Sequence, residues 1–246
     1  MKHDTIFGVR YPTLLLLHGW TSLPETKQKW QPFVQALEKI GCPVVFLPLP
    51  GLTAPLEESW DLDAYVTWLE SKVVKYSSYI VLGHSFGGQI ATKFSSRNQV
   101  GQRGLILVDS SGIPDRRIKS KLKRWTFFLL AKVGKQIPFA HTCKPLLYRL
   151  ARERDYISAT PKQKTTMRKV IREDLSKIAQ MISVPTLLIW GAKDATTPIA
   201  MAQELLRYIP NSRLAVIEGA RHSPQYTHVE AVVANIKKWL EHHFAE

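Results

Sequence analysis

The 246 residues include 45% hydrophobic and 22% charged side chains with a formal net charge of +14, a balance that excludes a disordered chain. The longest apolar runs, such as Leu14 to Leu17 and Phe127 to Ala131, are too short for a transmembrane helix, and the N-terminal MKHDTIFGVRYP lacks the features of a secretory signal, so the expected location is cytoplasmic. The length suits one core domain with an insertion, and Cys42 and Cys143 lack the spacing of a metal site or a disulfide framework.

In chain order, the pattern predicts strands at TLLLLH (13–18), PVVFLPL (43–49), YIVLGH (79–84), GLILVDS (104–110), PTLLIWG (185–191) and RLAVIEG (213–219). Helical periodicity falls near 28–40, 61–75, 86–98, 198–209 and 228–243. Strands that are apolar throughout and alternate with helices indicate a parallel sheet covered on both faces. The rhythm breaks between Ile113 and Ile182, where the segment holds 18 Lys and Arg against 5 Asp and Glu, a net of +13, which leaves +1 for the rest of the chain. This divides the chain into a core, 1–112 with 183–246, and a basic helical insertion, 113–182.

The stretch VLGHSFGGQIATKF places Ser85 between Gly83 and Gly87 where a strand turns into a helix. A serine hydroxyl needs a base to become a nucleophile, and the intermediate it forms needs N–H donors at the new oxyanion; a sharp strand-to-helix turn supplies access and donors together. A helix N-cap alone would explain Ser85 but not the glycines on both sides. An acid and then a histidine should follow in loops after later strands, and WGAKD puts Asp194, then ARH puts His222, in those places. Asp109, at the end of GLILVDS, is the competing acid. His-Gly-Trp at 18–20 ends the first strand, so the backbone N–H of Trp20 can join that of Phe86 at the oxyanion, with His18 as a loop organiser.

HGW, GHSFGG, WGAKD and ARH, in that order, resemble the α/β-hydrolase superfamily with an inserted helical lid. The resemblance implies an α/β-hydrolase fold of about six strands, and a serine hydrolase with no cofactor and no metal. It makes Ser85, Asp194 and His222 the catalytic triad. Serine at the elbow argues against the haloalkane dehalogenase and epoxide hydrolase branches, which use aspartate there. The chain departs from relatives in two places: few residues precede the first strand, which suggests a sheet trimmed at that edge, and Arg221 replaces the usual glycine before His222.

The lid layout is similar to that of the esterases that remove the methyl group from pimeloyl-acyl carrier protein, which use lid arginines for their partner. Arg149, Arg152 and Arg154 in LLYRLARERDY are the corresponding candidates for binding an acidic carrier. Competing uses of the basic lid are solubility alone or contact with an anionic membrane surface, the latter implying a lysophospholipase or monoacylglycerol lipase. Nucleic acid ranks last because no recognised motif accompanies the charge.

The expected activity is carboxylic-ester hydrolysis through an acyl-enzyme, on small to medium acyl esters. Carbon–carbon bond hydrolysis, lactone hydrolysis and perhydrolysis need the same three groups, and a ligand-gated receptor of this fold is the reading from another class. Oligomeric state is left open.

Overall fold

The computed structural model describes residues 11–21, 25–114, 159–171 and 173–244. Most of the expected insertion, with Cys143, Arg149, Arg152 and Arg154, lies outside the described residues.

Six strands form one wholly parallel sheet in the order β2-β1-β3-β4-β5-β6. They are β1 (Thr13–Leu17), β2 (Val44–Leu47), β3 (Tyr79–His84), β4 (Gln102–Val108), β5 (Thr186–Gly191) and β6 (Ser212–Ile217). Six of the helices that pack on it are α1 (Thr26–Lys39), α2 (Leu62–Val73), α3 (Phe86–Ser95), α4 (Pro161–Val170), α5 (Ser176–Ala179) and α6 (Ile199–Tyr208). α7 (Pro224–Thr227) and α8 (Val229–Phe244) complete the described set.

Period-two geometry sends alternate side chains of a strand to opposite faces, and both faces here are covered. Leu15 and Leu17 of β1 join α2, α3, α5 and α6 in one core cluster, while Leu14 and Leu16 join α1 and α8 in the other. All four leucines are fully buried, each contributing roughly 1.5–3 kcal/mol by removal from water. This two-sided burial is why the strand reads as unbroken leucine rather than as an alternation.

The strand limits differ from the sequence pattern for local reasons. β2 is confined to Val44–Leu47 because Pro43 and Pro48 have no N–H for a ladder. β4 starts earlier, at Gln102, and stops at Val108, since Asp109 takes a left-handed φ of 42° and leads the chain out of the sheet. α4 begins in a capping box, in which Thr160 accepts from Gln163 N–H and the Gln163 side chain accepts from Thr160 N–H. Within the segment assigned to the insertion, Leu175, Ala179 and Ile182 are buried in the core cluster. The Leu175 N–H donates to Gly112 O at 2.9 Å, so the two ends of the excursion meet on the sheet.

Candidate active site

β3 delivers its last residue, His84, to the carboxyl edge of the sheet, and α3 starts at Phe86. Ser85 alone makes the turn, with φ 52° and ψ −113°, a conformation that costs of order 1–3 kcal/mol for a residue with a side chain. The surroundings hold it there. Ser85 N–H donates to Val108 O at 3.1 Å, and Ser85 O accepts from Gln89 N–H at 3.1 Å and Ser111 N–H at 3.0 Å. The glycines serve close approach: a Cβ on Gly83 would lie 2.4 Å from Gly87 O, and one on Gly87 would lie 2.3 Å from Leu17 O. The strain therefore sits on the serine, and the glycines let three backbone segments converge around it.

Asp194 lies in the loop after β5 and His222 in the loop after β6. Across 137 residues of sequence, the Ser85 hydroxyl donates to His222 Nε2 at 3.1 Å. Nδ1–H of the same ring donates to Asp194 Oδ2 at 2.8 Å, which fixes the tautomer. Thr196 and Thr197 N–H donate to Asp194 Oδ1 at 2.7 and 3.1 Å, and the Thr197 hydroxyl meets Oδ2 at 2.6 Å. Burial alone would raise the Asp194 carboxyl, but these bonds, that of His222 foremost, hold it below the ordinary carboxylate range.

A family model described as the alpha/beta hydrolase family matches residues 14–235. The chain belongs to the alpha/beta hydrolase family. It is 26% identical over 242 residues to the pimeloyl-[acyl-carrier protein] methyl ester esterase of Neisseria meningitidis serogroup C, covering 92% of each chain. It is 27% identical over 244 residues to the protein of that name from Aromatoleum aromaticum, covering 89% of this chain and 94% of the relative. Among solved structures, a bacterial membrane phospholipase A superposes with a TM-score of 0.70 at 22% identity, over 94% of this chain and 79% of that one. The last likeness is one of fold.

In this alpha/beta hydrolase the competing acid has a different place from Asp194. Asp109 Oδ2 is 3.9 Å from His222 Nδ1, against 2.8 Å for Asp194. Its carboxylate instead accepts Gly191 N–H at 2.9 Å and Ser223 N–H at 2.8 Å. It thereby ties the end of β5 to the residue after His222, and Ser223 itself is left-handed with φ 94°. Burial, then the nearby Asp194 charge, raises the Asp109 carboxyl to about 7. Thr197 also belongs to this frame, its hydroxyl lying 3.0 Å from Asp109 O and 3.3 Å from His222 Nδ1. Sequence reasoning missed Thr197, for which the only signal was its place three residues beyond the acid.

His18 is fully buried and organises the β1 loop. Nδ1–H donates to Gly19 O at 2.7 Å, while Nε2 accepts from Leu49 N–H at 3.2 Å and the Thr53 hydroxyl at 2.6 Å. Burial lowers its pKa to about 4, so the ring is neutral at physiological pH. Arg221 is exposed. Ser85, Phe86, Trp20 and His222 line one cavity of about 410 Å³, to which Met167 and Val170 of α4 also contribute. Phe86 is the first residue of α3, where helix N–H groups have no intrahelical acceptor. His84, Asp109 and His222 also place possible metal-ligand atoms within 4.8 Å of one another. Asp109 and His222 already use theirs in the frame just described, so a metal there would have to draw a His222 nitrogen away from Asp194 or from Ser85.

Proposed function

We propose that the chain is a serine carboxylic-ester hydrolase that acts through an acyl-enzyme. The observation that carries this reading is the continuous bond sequence Ser85 Oγ to His222 Nε2 and His222 Nδ1 to Asp194 Oδ2, at 3.1 and 2.8 Å. His222 takes the Ser85 proton as Oγ attacks the ester carbonyl, and Asp194 orients and stabilises the imidazolium. The N–H groups of Trp20 and Phe86 receive the oxyanion, assisted by the positive end of α3. His222 returns its proton to the departing alcohol, then activates the water that releases the acid.

Two features favour an ester borne on an acidic carrier over a free small ester as the natural substrate. The relatives from Neisseria and Aromatoleum are carrier-protein ester esterases by name, and 113–182 holds 18 of the 34 Lys and Arg. Arg149, Arg152 and Arg154 are the proposed carrier contacts, and the cytoplasm the proposed location. No helix among the described residues is long and apolar enough to cross a membrane.

The test is a p-nitrophenyl ester chain-length series run beside a ring-cleavage product and a lactone, with wild type and Ser85→Ala compared. Esters are expected to turn over fastest, and Ser85→Ala to lower kcat by about 10³-fold or more. Faster turnover of the ring-cleavage product or lactone would move the activity to those reactions. Single-turnover binding without release would favour the receptor.

A further inference from the structure

Beside the catalytic cavity lies a second chamber of about 210 Å³. Trp20 lines both spaces, and α4 spans both: Met167 and Val170 face the first, Gln163 and Thr166 the second. Several bonds fix α4 over them. Gln163 Nε2–H donates to Gly51 O at 3.0 Å, Gln89 Nε2–H to Val170 O at 2.8 Å, and Lys169 Nζ–H to Ser59 O at 2.8 Å. The shared roof is thus bound to the core at three points along its length.

The chamber is apolar along Trp20, Leu52, Pro55 and Leu56. Its inner polar groups are mostly satisfied: the Tyr65 hydroxyl donates to Pro50 O at 2.8 Å, and the Gln163 side chain is used at both ends. Thr166 differs. It is 4% exposed, it lines the chamber, and its hydroxyl has no hydrogen-bond partner among the described residues. Its oxygen is not one of the fully enclosed unpaired atoms, so water can reach it in the empty chamber, and a chain that fills the chamber and expels that water has to offer an acceptor in its place. Lys162 adds a cation at the rim, 3.9 Å from the exposed Glu57 carboxylate, and Glu58 also lines the chamber.

We propose that this chamber is the subsite for the far end of the acyl chain, and that it selects chains ending in a hydrogen-bond acceptor over chains ending in methyl. The inference rests on Ser85 as the nucleophile. With the ester carbonyl at Ser85, the chain runs past the Trp20 indole, lays its methylenes along Leu52 and Leu56, and meets the Thr166 hydroxyl with its terminal carbonyl or carboxylate. A methyl end would leave that hydroxyl unpaired, and such a mismatch discriminates more strongly than a missing methylene does.

The experiment compares p-nitrophenyl esters from acetate to octanoate with ω-carboxamide counterparts of the longer chains, in wild type, Thr166→Val and Leu56→Trp. The readout is kcat/KM for each long ester divided by that for acetate in the same protein, which cancels any general loss of folded enzyme. In wild type the ω-carboxamide esters are expected to exceed their methyl-ended partners by about tenfold. Thr166→Val, which keeps the shape and removes the hydroxyl, is expected to erase that preference, and Leu56→Trp to lower the long-to-acetate ratio at least tenfold for both. Equal ratios for the two chain ends in wild type, or ratios that neither substitution changes, would overturn the subsite. Failure of wild type to hydrolyse even acetate would instead remove the esterase reading beneath it.

Discussion

Three buried groups around His222 divide the work of one acid between them. Asp194 pairs with the ring, Thr197 bridges, and Asp109 holds the two loops by their backbones. Protonation of the buried groups near the site has opposite consequences for stability. Asp109 is raised from 3.8 to about 7. Between those values the folded state keeps a proton that the unfolded chain has lost, and stability falls as pH rises. His18, lowered from 6.5 to about 4, acts the other way: the unfolded chain binds the proton first, so stability rises with pH through that window. His84, also held low by burial, adds to the rise. Asp109→Asn removes only the falling contribution. Its melting temperature is expected to climb more steeply than that of wild type between about pH 5 and 7. It should also be lower throughout, because an amide can accept at one of the two N–H groups and leaves the other unpaired, at about 1–3 kcal/mol. Parallel melting curves against pH would show that Asp109 does not titrate in that range.

The β3–α3 elbow is where local propensity yields to packing. A serine with φ 52° persists because β1, β4 and α3 converge on it, and Gly87 marks the point of closest approach to β1. Gly87→Ala puts a methyl 2.3 Å from Leu17 O, a backbone atom that cannot swing aside. The expected cost is about 3 kcal/mol, read as a lower denaturation midpoint with an unchanged slope against denaturant. Wild-type stability in that variant would mean that β1 and α3 part easily. The elbow was legible in GHSFGG because each glycine and the serine are separate requirements of one turn. The frame behind it was not, because Asp109, Thr197 and Ser223 belong to no common motif and meet only when β4, β5 and β6 lie side by side.

Across the whole molecule, charge is unevenly placed: of the net +14, +13 belongs to 113–182. Attraction between those cations and an acidic carrier would be screened over about 8 Å at physiological ionic strength, whereas a neutral small ester is indifferent to it. Turnover of a carrier-linked ester is therefore expected to fall with added salt far more than turnover of a p-nitrophenyl ester. Arg149→Glu with Arg152→Glu should lower the ratio of the two activities at low salt. A ratio that neither salt nor charge reversal alters would leave those cations as solvation alone.

By itself the sequence determined the six parallel strands, because a strand buried on both faces must be apolar throughout, and it determined the order of the serine, acid and histidine. It also located the excess charge. Only the tertiary structure gives the separations of the two carboxylates from His222, 2.8 Å for Asp194, which the order of the motifs already favoured, and 3.9 Å for Asp109. The same is true of the chamber beside Trp20. Distances between loops that follow different strands depend on strand order and on where each strand leaves the sheet, and no spacing along the chain encodes either.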